Sequence, residues 1–286
     1  MKKILVFGAT GMAGHMVTLY LSQFKDKYSV KNVCHRNKLD ENSVVCDISN
    51  INQVNEVIEN EQPNVIINCI GILNKTAEDD IKNTVYVNTF FPRFLERIGE
   101  MKDIKIIHLS TDCVFDGNDG GYTEDSFKNE NGIYGLSKNL GEIYGKNSLT
   151  IRTSIIGPEL KNGSGLFHWF MNQKGNIKGF TKAFWTGVTT LELAKAIDKA
   201  IDENIEGLYH VVPNEKVSKY DLLNIFKQEF DEIAVTIETN HEYVCDKSLV
   251  RTKCDFDYEV NSYEVMIKEM KEWMLLHKNL YKLYFD

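Results

Sequence analysis

The feature that most constrains this chain is a glycine-rich turn placed directly after its first apolar run. Ile4–Phe7 is strand-like, Gly8-Ala9-Thr10-Gly11-Met12-Ala13-Gly14 follows at once, and a helical pattern continues over 13–24. Glycines at this spacing permit a tight turn and let the backbone approach a pyrophosphate, which lies at the N-terminus of the following helix. The pattern predicts a dinucleotide-binding strand–turn–helix unit, and a plain tight turn is the alternative.

Strand-like and helix-like segments alternate over the first half of the chain. Predicted strands cover 28–34, 43–46, 65–67, 105–109 and 149–152; predicted helices include one capped by Ser49 and closed before Pro63, one over 81–101 kinked at Pro92, and one over 132–145. Strands that are apolar throughout and alternate with helices are typical of a parallel sheet covered on both faces. The expected fold is therefore α/β, a doubly wound parallel sheet of the Rossmann type.

The alternation changes after Ile156, where Gly157-Pro158 begins a loop. Later elements are predicted as helices over 191–202, 219–230 and 263–276 and a strand over 208–212. We therefore expect a Rossmann domain over residues 1–156 and a smaller substrate-binding lobe over 157–286. Part of 186–212 is expected to pack back on the first domain.

Composition narrows the class of partner. The net charge of −8 argues against nucleic acid, which requires clustered Lys and Arg, but is compatible with a small phosphorylated ligand. The most apolar stretch, 65–73, is far shorter than the ~20 residues of a membrane-spanning helix. The six cysteines form no CxxC pair and show no metal-ligand spacing. We expect reduced thiols, no bound metal, and a cytoplasmic protein without membrane attachment.

The end of the second predicted strand indicates which dinucleotide is preferred. A site for NAD usually has an acidic residue there to bind the ribose 2′-hydroxyl. This chain instead has His35, Arg36 and Lys38, and no acidic residue before Asp40. The cations could bind a 2′-phosphate by charge-assisted hydrogen bonds, which predicts NADPH rather than NADH. A solvated basic turn is the alternative.

Three side chains suggest carbonyl chemistry. Ser110 and Thr111 end a predicted strand, where open α/β sheets bind ligands, and either hydroxyl could hold a carbonyl oxygen. Tyr134 and Lys138 are four residues apart on one helix face, so a lysine charge is expected to lower the pKa of the phenol. The phenol could then protonate an alkoxide.

Two further groups of side chains have a simpler interpretation. The histidines His15 and His108 are predicted to be structural. Four aromatic residues could stack on a base or sugar: Phe167, Trp169, Phe170 and Trp185. Such residues are more often part of the core.

Together these motifs resemble the extended short-chain dehydrogenase/reductases, and most closely the dTDP-4-dehydrorhamnose reductase branch. The most specific string is Ser110-Thr111-Asp112-Cys113-Val114-Phe115-Asp116-Gly117. The resemblance implies that Thr111, Tyr134 and Lys138 are catalytic. It also places Asp47 and Ile48 near adenine, 69–71 along the cofactor, Asn88 behind the site and Arg152 near the nicotinamide. The full set expected to bind NADP(H) is Gly8, Thr10, Gly11, Met12, Gly14, His35, Arg36, Lys38, Asp47, Ile48, Cys69, Ile70, Gly71, Asn88, Ser110, Tyr134, Lys138 and Arg152.

The same resemblance implies hydride transfer from NADPH to the C4 ketone of a nucleotide-linked 4-keto-6-deoxy sugar, for cell-surface polysaccharide biosynthesis. Cys113 stands where the branch usually has Tyr, so a dTDP-linked rhamnose precursor and a UDP-linked hexosamine both remain candidates. Dehydratases of the family carry Asp-Glu after the Thr, and epimerases carry a Ser-rich string, so reduction is preferred to either. A non-catalytic NADP-binding regulatory subunit is the alternative of another class, and the oligomeric state is open, a homodimer being one option.

Overall fold

A computed structural model describes residues 1–161 and 163–285 of the chain. The strands are β1 (Lys2–Phe7), β2 (Tyr28–Cys34), β3 (Ser43–Val45), β4 (Val65–Asn68), β5 (Lys105–Ser110), β6 (Ser148–Arg152), β7 (Ile155–Ile156), β8 (Gly175–Trp185), β9 (Val188–Thr189), β10 (Gly207–His210), β11 (Val217–Ser218) and β12 (Val235–Asp246). The helices are α1 (Met12–Leu21), α2 (Ile51–Glu61), α3 (Asn74–Asp79), α4 (Ile81–Val85), α5 (Phe91–Lys102), α6 (Ile133–Leu140), α7 (Leu166–Met171), α8 (Thr190–Asp202), α9 (Lys219–Glu229) and α10 (Tyr263–Leu276).

Seven strands form one parallel sheet in the order β10-β6-β5-β4-β1-β2-β3. All four residues of β4, Val65–Asn68, are buried, as expected for a strand covered on both faces. The strand order reverses between β1 and β4, which creates the crevice where such sheets bind ligands. The predicted α/β Rossmann fold is confirmed.

The last strand of this sheet comes from late in the chain. β10 pairs with β6, and α8 packs against α1, so residues around 190–210 lie on the nucleotide-binding half. A separate three-stranded sheet, β11-β8-β12, carries α9 on one side. One apolar core joins α1 and α8 to this second sheet through Phe167, Phe226 and Trp185.

The structure corrects several predicted helices. Asn50, not Ser49, caps α2, because its side chain accepts the N–H groups of Asn52 and Gln53. The predicted long helix over 81–101 consists of α4, a π-helical turn over 86–90 and α5, with Pro92 in the first turn of α5. The helix predicted over 132–145 ends at Leu140.

The chain beyond α10 contacts the start of α1. Trp273 donates its indole N–H to the Tyr281 hydroxyl (3.3 Å), which lies 3.0 Å from Nε2 of His15. The other ring nitrogen of His15 lies 2.8 Å from the Gly11 carbonyl oxygen, so it must carry the proton. A continuous hydrogen-bond chain therefore runs from α10 to the glycine turn, which agrees with a structural role for His15.

Within the residues described, no helix is long and apolar enough to cross a membrane. All six cysteines are free thiols, as expected.

Candidate active site

The glycine turn is shaped by two positions that admit no side chain. Gly8 has φ +81°, a left-handed conformation that favours glycine. A Cβ on Gly14 would lie 2.2 Å from the Gly8 carbonyl oxygen, so α1 could not pack against the turn. Gly11 precedes α1 and provides no side-chain cap, which leaves the first N–H groups of the helix without acceptors. The turn therefore offers free backbone donors to an anion.

A cleft of about 460 Å³ opens between these donors and the carboxyl ends of β4, β5 and β6. Nine of the residues expected from the sequence line it: Gly11, Met12, Cys69, Ile70, Gly71, Ser110, Thr111, Tyr134 and Lys138. They come from four separated segments of the chain, so the fold alone brings them together. No cluster of potential metal ligands was found in the described part of the chain.

Tyr134 and Thr111 both line this cleft, and the Thr111 hydroxyl lies next to the Tyr134 phenol. Burial raises the pKa of Tyr134, the nearby Cys113 adds to that effect, and the Thr111 hydroxyl partly offsets it. The expectation that Lys138 lowers this pKa is therefore wrong for the chain without a bound ligand, because desolvation dominates. Tyr134 is accordingly a protonated phenol at neutral pH, the form that can donate a proton.

Lys138 is buried beneath the cleft floor. Its Nζ donates to the Leu109 carbonyl oxygen (2.6 Å) and lies 3.3 Å from Nε2 of His108. Burial lowers the pKa of Lys138 to about 8, and Glu142 and Cys69 only partly oppose this. The lysine therefore titrates close to physiological pH.

The residues expected at the adenosine end lie outside the cleft, on the surface beside it. His35, Arg36 and Lys38 are exposed after β2. Hydrogen bonds from Ser49 lower the pKa of Asp47, and the charges of His35 and Arg36 lower it further. Asp47 thus lies near these two cations, which are exposed after β2.

The remaining adenosine-end and loop positions have structural contacts. The carbonyl oxygen of Ile48 accepts the Tyr86 hydroxyl (2.6 Å). Asn88 lies in the π-helical turn and joins the Ile72 backbone to the Ser137 hydroxyl, beside Lys138. Thr10 lies in the glycine turn and is partly exposed.

The structure does not bring Arg152 into the cleft. Its guanidinium is fully buried and donates to Glu142 from Nε and Nη2 (both 2.8 Å) and to His210 from Nη1 (2.9 Å). Ser110 lines the cleft, but its hydroxyl donates to the same Glu142 (2.8 Å). Arg152 therefore organises the protein interior next to Ser110, and cannot reach the nicotinamide end without breaking an ion pair.

Sequence reasoning missed several residues that line the cleft. Glu159 comes from the loop after β7, and Lys219 begins α9. The Nζ of Lys219 lies 4.7 Å above the ring of Trp185, and the described residues place no carboxylate within 4.0 Å of it. Burial lowers the pKa of Lys219 to about 8, opposed in part by the Asp112 carboxyl. Because Lys219 lies more than 100 residues from Thr111, no local signal could have placed it here.

The aromatic candidates are divided by the structure. Phe167 and Phe170 are fully buried core residues. Trp169 is partly exposed and does not line the cleft, whereas Trp185 does. Only Trp185 is therefore placed to meet a ligand in this cleft.

Comparison with known proteins gives a family match. The profile described as RmlD substrate binding domain matches residues 1–246. A dTDP-4-dehydrorhamnose reductase from Aggregatibacter actinomycetemcomitans is 28% identical over 234 residues, covering 77% of this chain and 76% of that protein. Methionine adenosyltransferase 2 subunit beta from Xenopus laevis is 25% identical over 236 residues, covering 77% and 70%. The solved dTDP-4-dehydrorhamnose reductase from Bacillus anthracis in complex with NADP superposes with a TM-score of 0.81 at 19% identity, covering 95% and 99%.

Proposed function

Because this chain belongs to the family of the RmlD substrate binding domain, we propose that it is an NADPH-dependent reductase of a nucleotide-linked 4-keto-6-deoxy sugar. The observation that carries the proposal is the convergence of Thr111, Tyr134 and Lys138 on one cleft beside the glycine turn. A dTDP-linked rhamnose precursor and a UDP-linked hexosamine are the two substrate candidates.

The residues present fit a dinucleotide. The missing Cβ atoms at Gly8 and Gly14 let the turn pack closely against Cys69, Ile70 and α1, and the free N–H groups at the start of α1 could then bind a pyrophosphate. Arg36 and Lys38 are exposed beside the adenosine end, where they could bind a 2′-phosphate. The related reductase in complex with NADP has the same fold, which supports this assignment.

The chain's own groups divide the work of reduction. When bound, NADPH supplies the hydride that reaches the carbonyl carbon. The Thr111 hydroxyl, which donates to Asp112 Oδ1 (3.0 Å) in the structure, would turn to donate to the carbonyl oxygen and orient it. Tyr134 then gives its phenolic proton to that oxygen, so the ketone becomes an alcohol and the phenol becomes a phenolate. Lys138 would hold the nicotinamide ribose, and its positive charge would stabilise the phenolate once the proton has left.

Trp185 and Lys219 would bind the rest of the substrate. A flat indole face suits a sugar ring or base, and an ammonium that makes no ion pair within 4.0 Å among the described residues suits a phosphate. Both side chains line the cleft together with Thr111. We assign this wall to the nucleotide diphosphate sugar.

Dehydration fits the cleft less well than reduction. Loss of water needs a second acid–base group next to the catalytic threonine. Asp112 is a buried carboxyl whose pKa burial raises, but Cys113 follows it, and burial raises the pKa of that thiol to about 12. A neutral thiol at this position is a poor substitute for a carboxylate base.

A regulatory subunit is the second candidate, favoured by the similarity to methionine adenosyltransferase 2 subunit beta. A regulatory subunit that catalyses no reaction needs neither a proton-donating tyrosine nor a lysine beside it. Both Tyr134 and Lys138 are present and face the cleft or its floor, which favours catalysis.

The test is NADPH consumption at 340 nm with a panel of dTDP- and UDP-linked 4-keto-6-deoxy sugars. We expect turnover with one member of the panel, and Tyr134→Phe should lower kcat at least 100-fold while NADPH affinity is retained. Tyr20→Phe, a change in α1 outside the cleft, is the matched control and should leave kcat unchanged. An absence of turnover together with a stable protein partner in a pull-down would favour the regulatory subunit.

A further inference from the structure

Two buried polar side chains lie under Lys138 and belong to no part of the mechanism above. Asn68 ends β4 and His108 lies on β5, and the two residues are register partners on adjacent strands. Neither side chain is exposed at all. Asn68 Nδ2 lies 3.1 Å from His108 Nδ1, and His108 Nε2 lies 3.3 Å from Lys138 Nζ. The three side chains thus form a single line from the sheet to the cleft floor.

The orientation of the Asn68 amide is fixed by the backbone. The Ile70 N–H donates to Oδ1 of Asn68 (3.2 Å), so Oδ1 must face Ile70. The reversed amide would place the NH₂ group of Asn68 against the Ile70 N–H, so two donors would face each other. The NH₂ group of Asn68 therefore faces His108, and Nδ1 of His108 must be the acceptor of that contact.

This contact selects one tautomer of His108. Burial holds the pKa of His108 well below its ordinary value, and the charge of Arg93 acts in the same direction, so the ring is neutral whether or not Lys138 is charged. A neutral imidazole carries one proton, and with Nδ1 accepting, that proton is on Nε2. The Nε2–H bond therefore points at Lys138 Nζ.

An ammonium cannot accept this proton. A protonated lysine has three N–H donors and no lone pair, whereas the neutral amine has one lone pair and two donors. The amine satisfies both neighbours at once: it accepts from His108 and donates to the Leu109 carbonyl oxygen at 2.6 Å. The ammonium would leave two donors facing each other in a buried site.

The surrounding charges do not reverse this preference. Cys69 and Glu142 are the titratable groups that favour the charged form of Lys138. Burial raises the pKa of the Cys69 thiol to about 12, so it is neutral. The Glu142 carboxylate is held by Arg152 and Lys128 and makes no ion pair with Lys138 among the described contacts.

We propose that Asn68 and His108 are positioning residues that favour the neutral amine of Lys138 over the ammonium when no cofactor is bound. Ribose hydroxyls can accept hydrogen bonds from an ammonium, so in the pH range where the amine is populated, cofactor binding would be accompanied by uptake of a proton from solvent on Lys138; this step rests on the proposed function. Asn68 and His108 would then determine how NADPH affinity depends on pH. The affinity is greatest below about pH 8 and declines as pH rises through that value.

The first experiment determines the tautomer in the wild-type protein without cofactor. Long-range ¹H–¹⁵N NMR of the imidazole rings, with the His108 signal assigned through His108→Gln, should show Nδ1 unprotonated and Nε2 protonated. A ring protonated on Nδ1, or on both nitrogens, would overturn the proposal. Because this measurement uses the wild-type chain, poor folding of a variant elsewhere does not affect it.

The second experiment follows the lysine itself by ¹³C NMR of ε-labelled lysines over pH 6–11. Lys138 is assigned by loss of its signal in Lys138→Met, with Lys219→Met as the matched control for another buried lysine. We expect Lys138 to titrate roughly two pH units below exposed lysines. In His108→Gln its pKa should rise by about one, because the glutamine oxygen can accept from an ammonium.

A purely structural His108 predicts lower thermal stability in His108→Gln with the Lys138 titration unchanged, and that result would refute the positioning role. Calorimetry of NADPH binding in buffers of different ionisation enthalpy then tests proton uptake near pH 8. A failure to bind NADPH, combined with the expected tautomer and titration, would refute the proposed function and leave the positioning role standing. NADPH binding without proton uptake would refute the link between the protonation of Lys138 and cofactor affinity.

Discussion

Replacing Glu142 by Gln tests a buried charge cluster next to the cleft. One carboxylate oxygen accepts from Ser110 (2.8 Å) and from Arg152 Nε (2.8 Å). The other accepts from Arg152 Nη2 (2.8 Å), Lys128 (3.0 Å) and Tyr144 (2.7 Å). Neither Glu142 nor Arg152 is more than 1% exposed. The amide of Gln has one acceptor oxygen and two donors, so it opposes donors where the carboxylate accepts them.

The size of the effect follows from the pKa of Glu142. Burial alone would raise it, but the hydrogen bonds and charge of Arg152, with Lys128, hold it at about 2 rather than 4.5. A tenfold change in proton affinity corresponds to about 1.4 kcal/mol, so the ionised carboxylate contributes about 3 kcal/mol to the free energy of unfolding. Breaking a buried ion pair by removing one partner typically costs 3–5 kcal/mol, which agrees. We expect Glu142→Gln to lower Tm by roughly 5–10 °C.

The dependence on pH has a defined sign. Because the folded pKa is depressed, the stabilisation is complete above about pH 4.5 and is lost as pH falls toward about 2. Urea unfolding at several pH values should therefore show a difference of about 3 kcal/mol between wild type and variant at pH 7, and a smaller difference at pH 3. Glu269→Gln, which removes a partly exposed partner of Lys195, is the control and should cost less than about 1 kcal/mol. A loss below about 1 kcal/mol for Glu142→Gln, or the same difference at both pH values, would refute the reasoning.

Three further changes test the cleft. Gly14→Ala places a Cβ 2.2 Å from the Gly8 carbonyl oxygen and should lower NADPH affinity at least tenfold in a fluorescence titration, and an unchanged affinity would refute the role of this close approach. Arg36→Ala should raise KM for NADPH roughly tenfold and leave KM for NADH unchanged, and an equal effect on both would exclude a 2′-phosphate contact. Lys219→Met should raise KM for the nucleotide sugar roughly tenfold and leave KM for NADPH unaltered. The KM of the wild type for the nucleotide sugar should rise toward that of the variant above about pH 8, where Lys219 loses its charge.

Local sequence patterns were sufficient to predict those elements whose structure depends on residues close together in the sequence. The run Ile4–Phe7 followed by Gly8, Gly11 and Gly14 located β1, the turn and α1. A buried strand requires apolar residues, and a helix packed closely on a turn requires glycines, so both elements are visible in the local sequence. The i, i+4 spacing placed Tyr134 and Lys138 on one face of α6 for the same reason. The two residues did not interact as expected, however, because burial and the contact with His108 dominate the surroundings of each.

Long-range pairing accounts for what the sequence did not reveal. The strands β8 and β12 pair with each other across about 60 residues, and β12 is mostly exposed, so it has little apolar alternation. Arg152 ends β6, where a ligand-binding residue is expected, but its side chain turns to Glu142, which no local spacing indicates. Lys219 reaches the cleft from the second sheet region and could not be placed without the fold.

The hydrogen-bond chain from α10 to the glycine turn has a consequence for how the protein is made. The residues His15 and Tyr281 are 266 positions apart, so a ribosome synthesises β1, the turn and α1 long before the tyrosine that holds His15 exists. During most of translation, the imidazole has neither its hydroxyl partner nor the indole beyond it. The contact that ties the start of α1 to the segment after α10 can therefore form only after Tyr281 has been synthesised.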